Sequence, residues 1–191
     1  ALWRGVGDRS ETGGRVFMKV VILTGMSGAG KSTALKMMED IGFYCVDNLP
    51  IPLIEKFVEL SETSTDEIQK FAIGVDIRSG NSFAELRGVL DKLYKKGDSP
   101  EILYLDAEDA VLVKRYKETR RNHPLAGGAR VEAGIALERE KLGFLRKRAD
   151  YIIDTSSLSA MQLKERISAI FLDNIANSML INCMSFGFKY G

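Results

Sequence analysis

The sequence predicts a parallel α/β fold, a five-stranded sheet with helices on both faces, and two observations carry that prediction. Short apolar runs alternate with stretches of helical periodicity from Val20 to Phe171, the order that builds repeated βαβ units. The first run, Lys19-Val20-Val21-Ile22-Leu23-Thr24, leads straight into Gly25-Met26-Ser27-Gly28-Ala29-Gly30-Lys31-Ser32, which fits G-x-x-x-x-G-K-[ST] at every fixed position.

That octapeptide reads as a phosphate cradle. Its glycines allow a tight turn whose N–H groups aim inward, and the helix that follows offers the positive end of its dipole to an anion. Lys31 is placed to reach β- and γ-phosphates, and the Ser32 hydroxyl to ligate Mg²⁺. The bland alternative is a Gly-rich turn with a surface lysine; the strand before and the helix after argue against it.

The elements follow in order. Ala34, Met37, Met38 and Ile41 fall at i, i+3, i+4 and i+7 on one helix face, and Gly42 supplies the stop. Phe43 to Val46 is a short second strand ending at Asp47-Asn48-Leu49-Pro50. Pro52 suits a first helical turn, with Leu53, Ile54, Phe57 and Val58 expected on one face. Ser61 to Lys70 is polar and reads as a loop or helix end, and Phe71 to Val75 as the third strand. Ser82-x-x-Glu85 has the form of a capping box before a helix that buries Phe83, Leu86, Leu90 and Leu93. Glu101 to Asp106 is the fourth strand, with Leu112, Val113 and Tyr116 marking the next helix. A basic stretch closes at Pro124 and Gly127-Gly128, a mixed-charge helix spans about Val131 to Arg148, and Tyr151 to Ile153 is the fifth strand. Ser159-x-x-Gln162 caps a last helix with Leu163, Ile167, Ile170 and Phe171 inward.

Charge and composition narrow the function classes. Twenty-seven basic against 26 acidic residues leave a net +1 over 191 residues, so a globally basic, nucleic-acid-coating surface is not implied. Cys45 and Cys183 form no C-x-x-C and the single His123 completes no His/Cys metal set, so both thiols read as buried and free. No run approaches the roughly 18 apolar residues of a spanning helix. The expectation is a soluble cytoplasmic protein with no membrane contact. Residues 1–17 lack periodicity and read as a tail, 18–176 as the nucleotide-binding domain, and 177–191 as the start of a second domain.

In a parallel sheet, ligands gather beyond the carboxyl ends of the strands. Asp47, Asp76, Asp106 and Asp154 each follow a strand and therefore share the edge of the phosphate loop. Asp76 is the expected Mg²⁺ partner and catalytic carboxylate beside Lys31, and Arg78 is expected to pair with phosphate. Asp106 and Asp154 read as caps or structural groups, whereas Asp47-Asn48 marks a place for a second substrate. Arg115, Arg120 and Arg121 read either as a solvated helix face or as arginines brought to nucleotide by a lid. His123 reads as an orienting loop residue rather than a general base.

Taken together, the chain resembles the RapZ/YvcJ family of bacterial nucleotide-binding proteins. The resemblance rests on Gly25 to Ser32, Gly42 to Pro50, Asp76 with Arg78, Leu105 to Leu125, Arg148-Ala149-Asp150 with Asp154-Thr155-Ser156, and Ser185 to Gly191. It implies a kinase-like P-loop domain that binds ATP and GTP with Mg²⁺ and hydrolyses them slowly. The family's ATP site maps onto Gly25 to Ser32 and its guanine-nucleotide site onto Asp76, Ile77, Arg78 and Ser79. It further implies an adapter that directs an endoribonuclease to a small regulatory RNA, mostly through a C-terminal domain, and it allows a homo-oligomer. The arrangement also resembles adenylate-kinase-like enzymes, so a small-molecule kinase is the competing expectation.

Overall fold

The computed structural model describes residues 19–63, 70–76, 80–96 and 100–172. The expectations for residues 1–17, 177–191, Ile77, Arg78, Ser79 and Cys183, and for the burial of Phe83, lie outside what is described. The elements run β1 (Lys19–Gly25), α1 (Lys31–Asp40), β2 (Tyr44–Val46), α2 (Ile51–Thr63), β3 (Lys70–Gly74), α3 (Gly80–Lys96), β4 (Glu101–Asp106), α4 (Asp109–Thr119), α5 (Val131–Arg148), β5 (Tyr151–Asp154) and α6 (Ala160–Phe171).

The five strands form one sheet in the order β2-β3-β1-β4-β5, and every pairing is parallel. β1 is the centre. Val20 to Leu23 point alternately to opposite faces and all are buried, so both faces are covered, as a parallel sheet requires. The helices pack in pairs, α1 with α6, α2 with α3 and α4 with α5. Leu86, Leu90 and Leu93 of α3 and Leu163, Ile167 and Phe171 of α6 go inward as their spacing predicts.

Two local expectations are corrected. Leu53 is 51% exposed; the buried stripe of α2 keeps the expected Ile54 and Val58 and adds Ile51. Ile51 opens the helix, so the i, i+3, i+7 face starts there and turns Leu53 outward. α3 begins at Gly80, which puts Ser82 inside the first turn rather than at the cap. By contrast, Ser159 and Gln162 form a complete capping box at α6.

Asp150 extends the β4/β5 ladder beyond its last strand pair. Its carboxylate accepts the Ile102 N–H at 2.7 Å while its own N–H donates to the Ile102 carbonyl at 3.0 Å. Arg148 beside it pairs with Asp91 of α3 at 2.7 Å and lies over the Tyr94 ring. The start of β5 is thus fixed to its neighbour strand and to α3.

Candidate functional site

The loop between β1 and α1 begins with a close approach that admits no side chain. Gly25 has φ 135°, and a Cβ there would lie 2.1 Å from the Leu105 carbonyl oxygen. The next residue, Met26, donates its N–H to that same oxygen at 3.0 Å, tying the loop to β4. Gly28 and Gly30 also have positive φ, and Gly30 serves as N-cap of α1 with no side chain capping the helix. The first-turn N–H groups of α1 are therefore not claimed by a cap, the arrangement that suits an anion at a helix start.

Lys31 folds toward the loop, its Nζ donating to the Gly25 carbonyl at 2.9 Å and the Met26 carbonyl at 3.2 Å. It lines a cavity of about 140 Å³ with Ser32, Asp47, Asn48, Gly74, Val75 and Asp76. The topology explains the gathering. β3 ends beside β1 and β2 beside β3, and the Leu49 N–H donates to the Gly74 carbonyl at 3.3 Å, drawing the turn after β2 over the end of β3. Asn48 takes φ 54° in that turn, a conformation asparagine tolerates.

The cavity holds one ammonium, one hydroxyl and two carboxylates. Such a donor set fits a hard cation such as Mg²⁺, which is bound by one or two carboxylates and keeps several waters. Among the described residues, no group of three or more His, Cys, Asp or Glu could hold a metal by itself. The residues that fit are Ser32 and Asp76, with Asp47 alongside.

The other two strand-end carboxylates serve the framework. Asp106 accepts the Ala107 N–H at 2.9 Å and pairs with Arg139 at 2.9 Å and Arg146 at 3.0 Å, both from α5. Asp154 accepts the N–H and hydroxyl of Ser156, and these bonds hold its carboxyl below the usual range.

The three arginines divide. Arg115 of α4 donates to the Gly28 carbonyl at 3.0 Å, to the Thr155 hydroxyl at 3.2 Å and to the Thr155 carbonyl at 2.7 Å. The Thr155 hydroxyl in turn donates to the Ala29 carbonyl at 2.9 Å. Arg115 and Thr155 together clasp the middle of the phosphate loop. Arg120 and Arg121 lie at the exposed end of α4, outside the lining of the Lys31 cavity.

Sequence reasoning missed Glu138. It is buried in α5, where its carboxylate receives the N–H and hydroxyl of Ser27 and the imidazole of His123. A signal was present: Ile135, Glu138, Leu142 and Leu145 share one helical stripe, and a lone carboxylate there implies a buried partner. Thr155 carried no comparable signal.

Among known proteins, the chain is 56% identical over 175 residues to a nucleotide-binding protein of Agathobacter rectalis, covering 91% of this chain and 60% of the relative. It is 55% identical over 175 residues to a nucleotide-binding protein of Lachnoclostridium phytofermentans, covering 91% and 61%. The chain thus spans about three-fifths of these relatives' length. In structure it is similar to shikimate kinase from Bacteroides thetaiotaomicron, with a TM-score of 0.55 and 18% identity over 80% of this chain and 96% of that one. It is also similar to shikimate kinase from Acinetobacter baumannii in complex with shikimate, with a TM-score of 0.54 and 22% identity over 82% and 94%. These likenesses show the kinase-like P-loop fold alone. The family profile of the RapZ-like N-terminal domain matches residues 18–175.

Proposed function

Because the chain belongs to the RapZ-like N-terminal domain family, we propose that it is a regulatory module that binds ATP and GTP with Mg²⁺ and hydrolyses them slowly. The observation that carries this reading is the glycine-built loop at the uncapped start of α1, with Lys31, Ser32 and Asp76 around one cavity. Lys31 is assigned to the β- and γ-phosphates, and Ser32 and Asp76 to Mg²⁺, which neutralises phosphate charge when bound. Arg115 serves the site by holding the Gly28 carbonyl. Arg120 and Arg121 are assigned to nucleotide at the rim, and Asp76 to Ser79 to guanine nucleotide. The names of the relatives, nucleotide-binding proteins, support the same reading.

For the longer protein we assign a cytoplasmic adapter role, with small regulatory RNA and an endoribonuclease held by sequence outside residues 18–175. The near-balanced charge of this chain agrees with placing the RNA contacts elsewhere.

Titration with Mg-ATP and Mg-GTP tests the central reading. Saturable binding is expected, and Lys31→Ala is expected to weaken it by about a hundredfold, the loss of a charge-assisted contact to phosphate. Absence of binding, or binding indifferent to Lys31→Ala, overturns it. Labelled γ-phosphate is expected as free phosphate; its appearance on a metabolite would assign the chain to the small-molecule kinases instead.

A further inference from the structure

Glu138 stands where the stripe of α5 calls for an apolar residue, between Ile135 and Leu142. A buried carboxylate costs stability unless donors converge on it, and a hydrophobic residue of similar size is commonly at least as good for packing. Three donors do converge. The Ser27 N–H reaches Oε2 at 3.0 Å, the Ser27 hydroxyl reaches Oε1 at 2.6 Å, and His123 Nε2 lies 3.2 Å from Oε2.

The ring proton of His123 is placed by its other bond. The Leu125 N–H donates to Nδ1 at 3.1 Å, so Nε2 carries the hydrogen and donates to Glu138. The imidazole is held tightly: the Tyr116 ring lies 5.1 Å away, centroid to centroid, and a Cβ on Gly134 would come within 2.5 Å of Nδ1. His123 also anchors the connection to α5, its carbonyl accepting the Ala126 N–H at 3.0 Å.

The peptide that Glu138 grips matters to the loop. The Ser27 N–H and the Met26 carbonyl belong to one planar unit, so fixing one fixes the other. The Met26 carbonyl accepts the Ala29 N–H at 3.0 Å and the Lys31 ammonium at 3.2 Å. Glu138 thereby sets the plane against which Lys31 and the inner loop are arranged.

We propose that Glu138 is a positioning residue for the phosphate loop: through Ser27 it fixes the loop's shape, and through His123 it links that shape to the connection spanning 123–130. The consequence for ligand rests on nucleotide binding at the loop; the linkage itself does not.

Two measurements on the full chain separate these. Amide exchange without nucleotide reads the linkage, since the Leu125 amide reports directly on His123. Ser27→Ala, on the far side of Glu138, is expected to speed exchange at Leu125 several-fold, and Glu138→Gln by about tenfold, as loss of one charge-assisted bond implies. Unchanged Leu125 exchange in both variants overturns the linkage, whether or not nucleotide binds. Titration with Mg-ATP then reads the positioning role: Glu138→Gln is expected to weaken binding about tenfold and Ser27→Ala by less, the double variant falling short of their product because both act through one contact. If the wild type binds in a Lys31-dependent way and both single variants bind equally well, the positioning role is overturned. Should Glu138→Gln fail to fold, Ser27→Ala alone decides both arms.

Discussion

Cys45 illustrates how local surroundings decide a side chain's chemistry. Its thiol lies against the Leu35 carbonyl, with sulfur to oxygen at 3.3 Å, and burial followed by the charge of Glu39 pushes its pKa up to about 11. A raised thiol pKa means that the reactive thiolate is scarce at neutral pH and grows about tenfold per unit as pH rises toward that value. Native protein at neutral pH is therefore expected to alkylate with iodoacetamide at Cys45 at least about tenfold more slowly than the unfolded chain. Mass spectrometry of the Cys45 peptide measures it, and equal rates in both states would contradict the assignment. The sequence reads this thiol as buried and free; it is free but half-buried, and the carboxylate beside it comes from α1, brought there by the fold.

At the scale of elements, what was legible depended on how local the determinant is. The α6 cap needs only Ser159 and Gln162, three residues apart, and both reciprocal bonds form. Ser159→Ala is expected to lower stability by about 1 kcal/mol, read as a shift in the denaturant midpoint at unchanged slope. The same pattern at Ser82 marks no helix start, because α3 has already begun at Gly80. In α2 the expected Ile54 and Val58 go inward and Phe57 packs partly buried against the core, but Leu53 turns outward: Pro52 drew attention to the first turn, yet Ile51 opens the helix and joins the inner face. Periodicity was enough for the existence of these helices but not for their first residues, Ile51 and Gly80.

Across the whole molecule, the alternation of strands and helices was enough for the sheet and its covered faces, and the strand-end rule brought Asp47 and Asp76 to the cavity of Lys31. It was not enough for Glu138, Arg115 and Thr155, whose partners lie 111, 87 and 126 residues away in the loop. No spacing rule reaches across such distances; the packing of α4 and α5 beside the loop brings Arg115 and Glu138 to it, and the pairing of β5 with β4 brings Thr155. If nucleotide binds where proposed, it stabilises the entire domain. Mg-ATP at about a hundred times its dissociation constant is expected to add about 2.7 kcal/mol. A thermal melt should then rise by roughly 5–10 °C, and the Lys31→Ala protein, binding about a hundredfold more weakly, should rise by only about 1 °C at that concentration.

The position of β1 at the centre of the sheet bears on when the cradle can come into being. Its neighbours on either side, β3 and β4, both come later in the chain, and Gly25 and Met26 are closed against Leu105 at the end of β4. Contacts between strands so far apart are entropically late, since the intervening chain must be ordered before they are rewarded. The eight residues that spell out phosphate binding are among the first of the domain to be synthesised, yet their shape waits for a strand that arrives after three helices. During biosynthesis the motif is present as sequence well before it exists as a site, and an incomplete domain has no formed cradle with which to hold nucleotide.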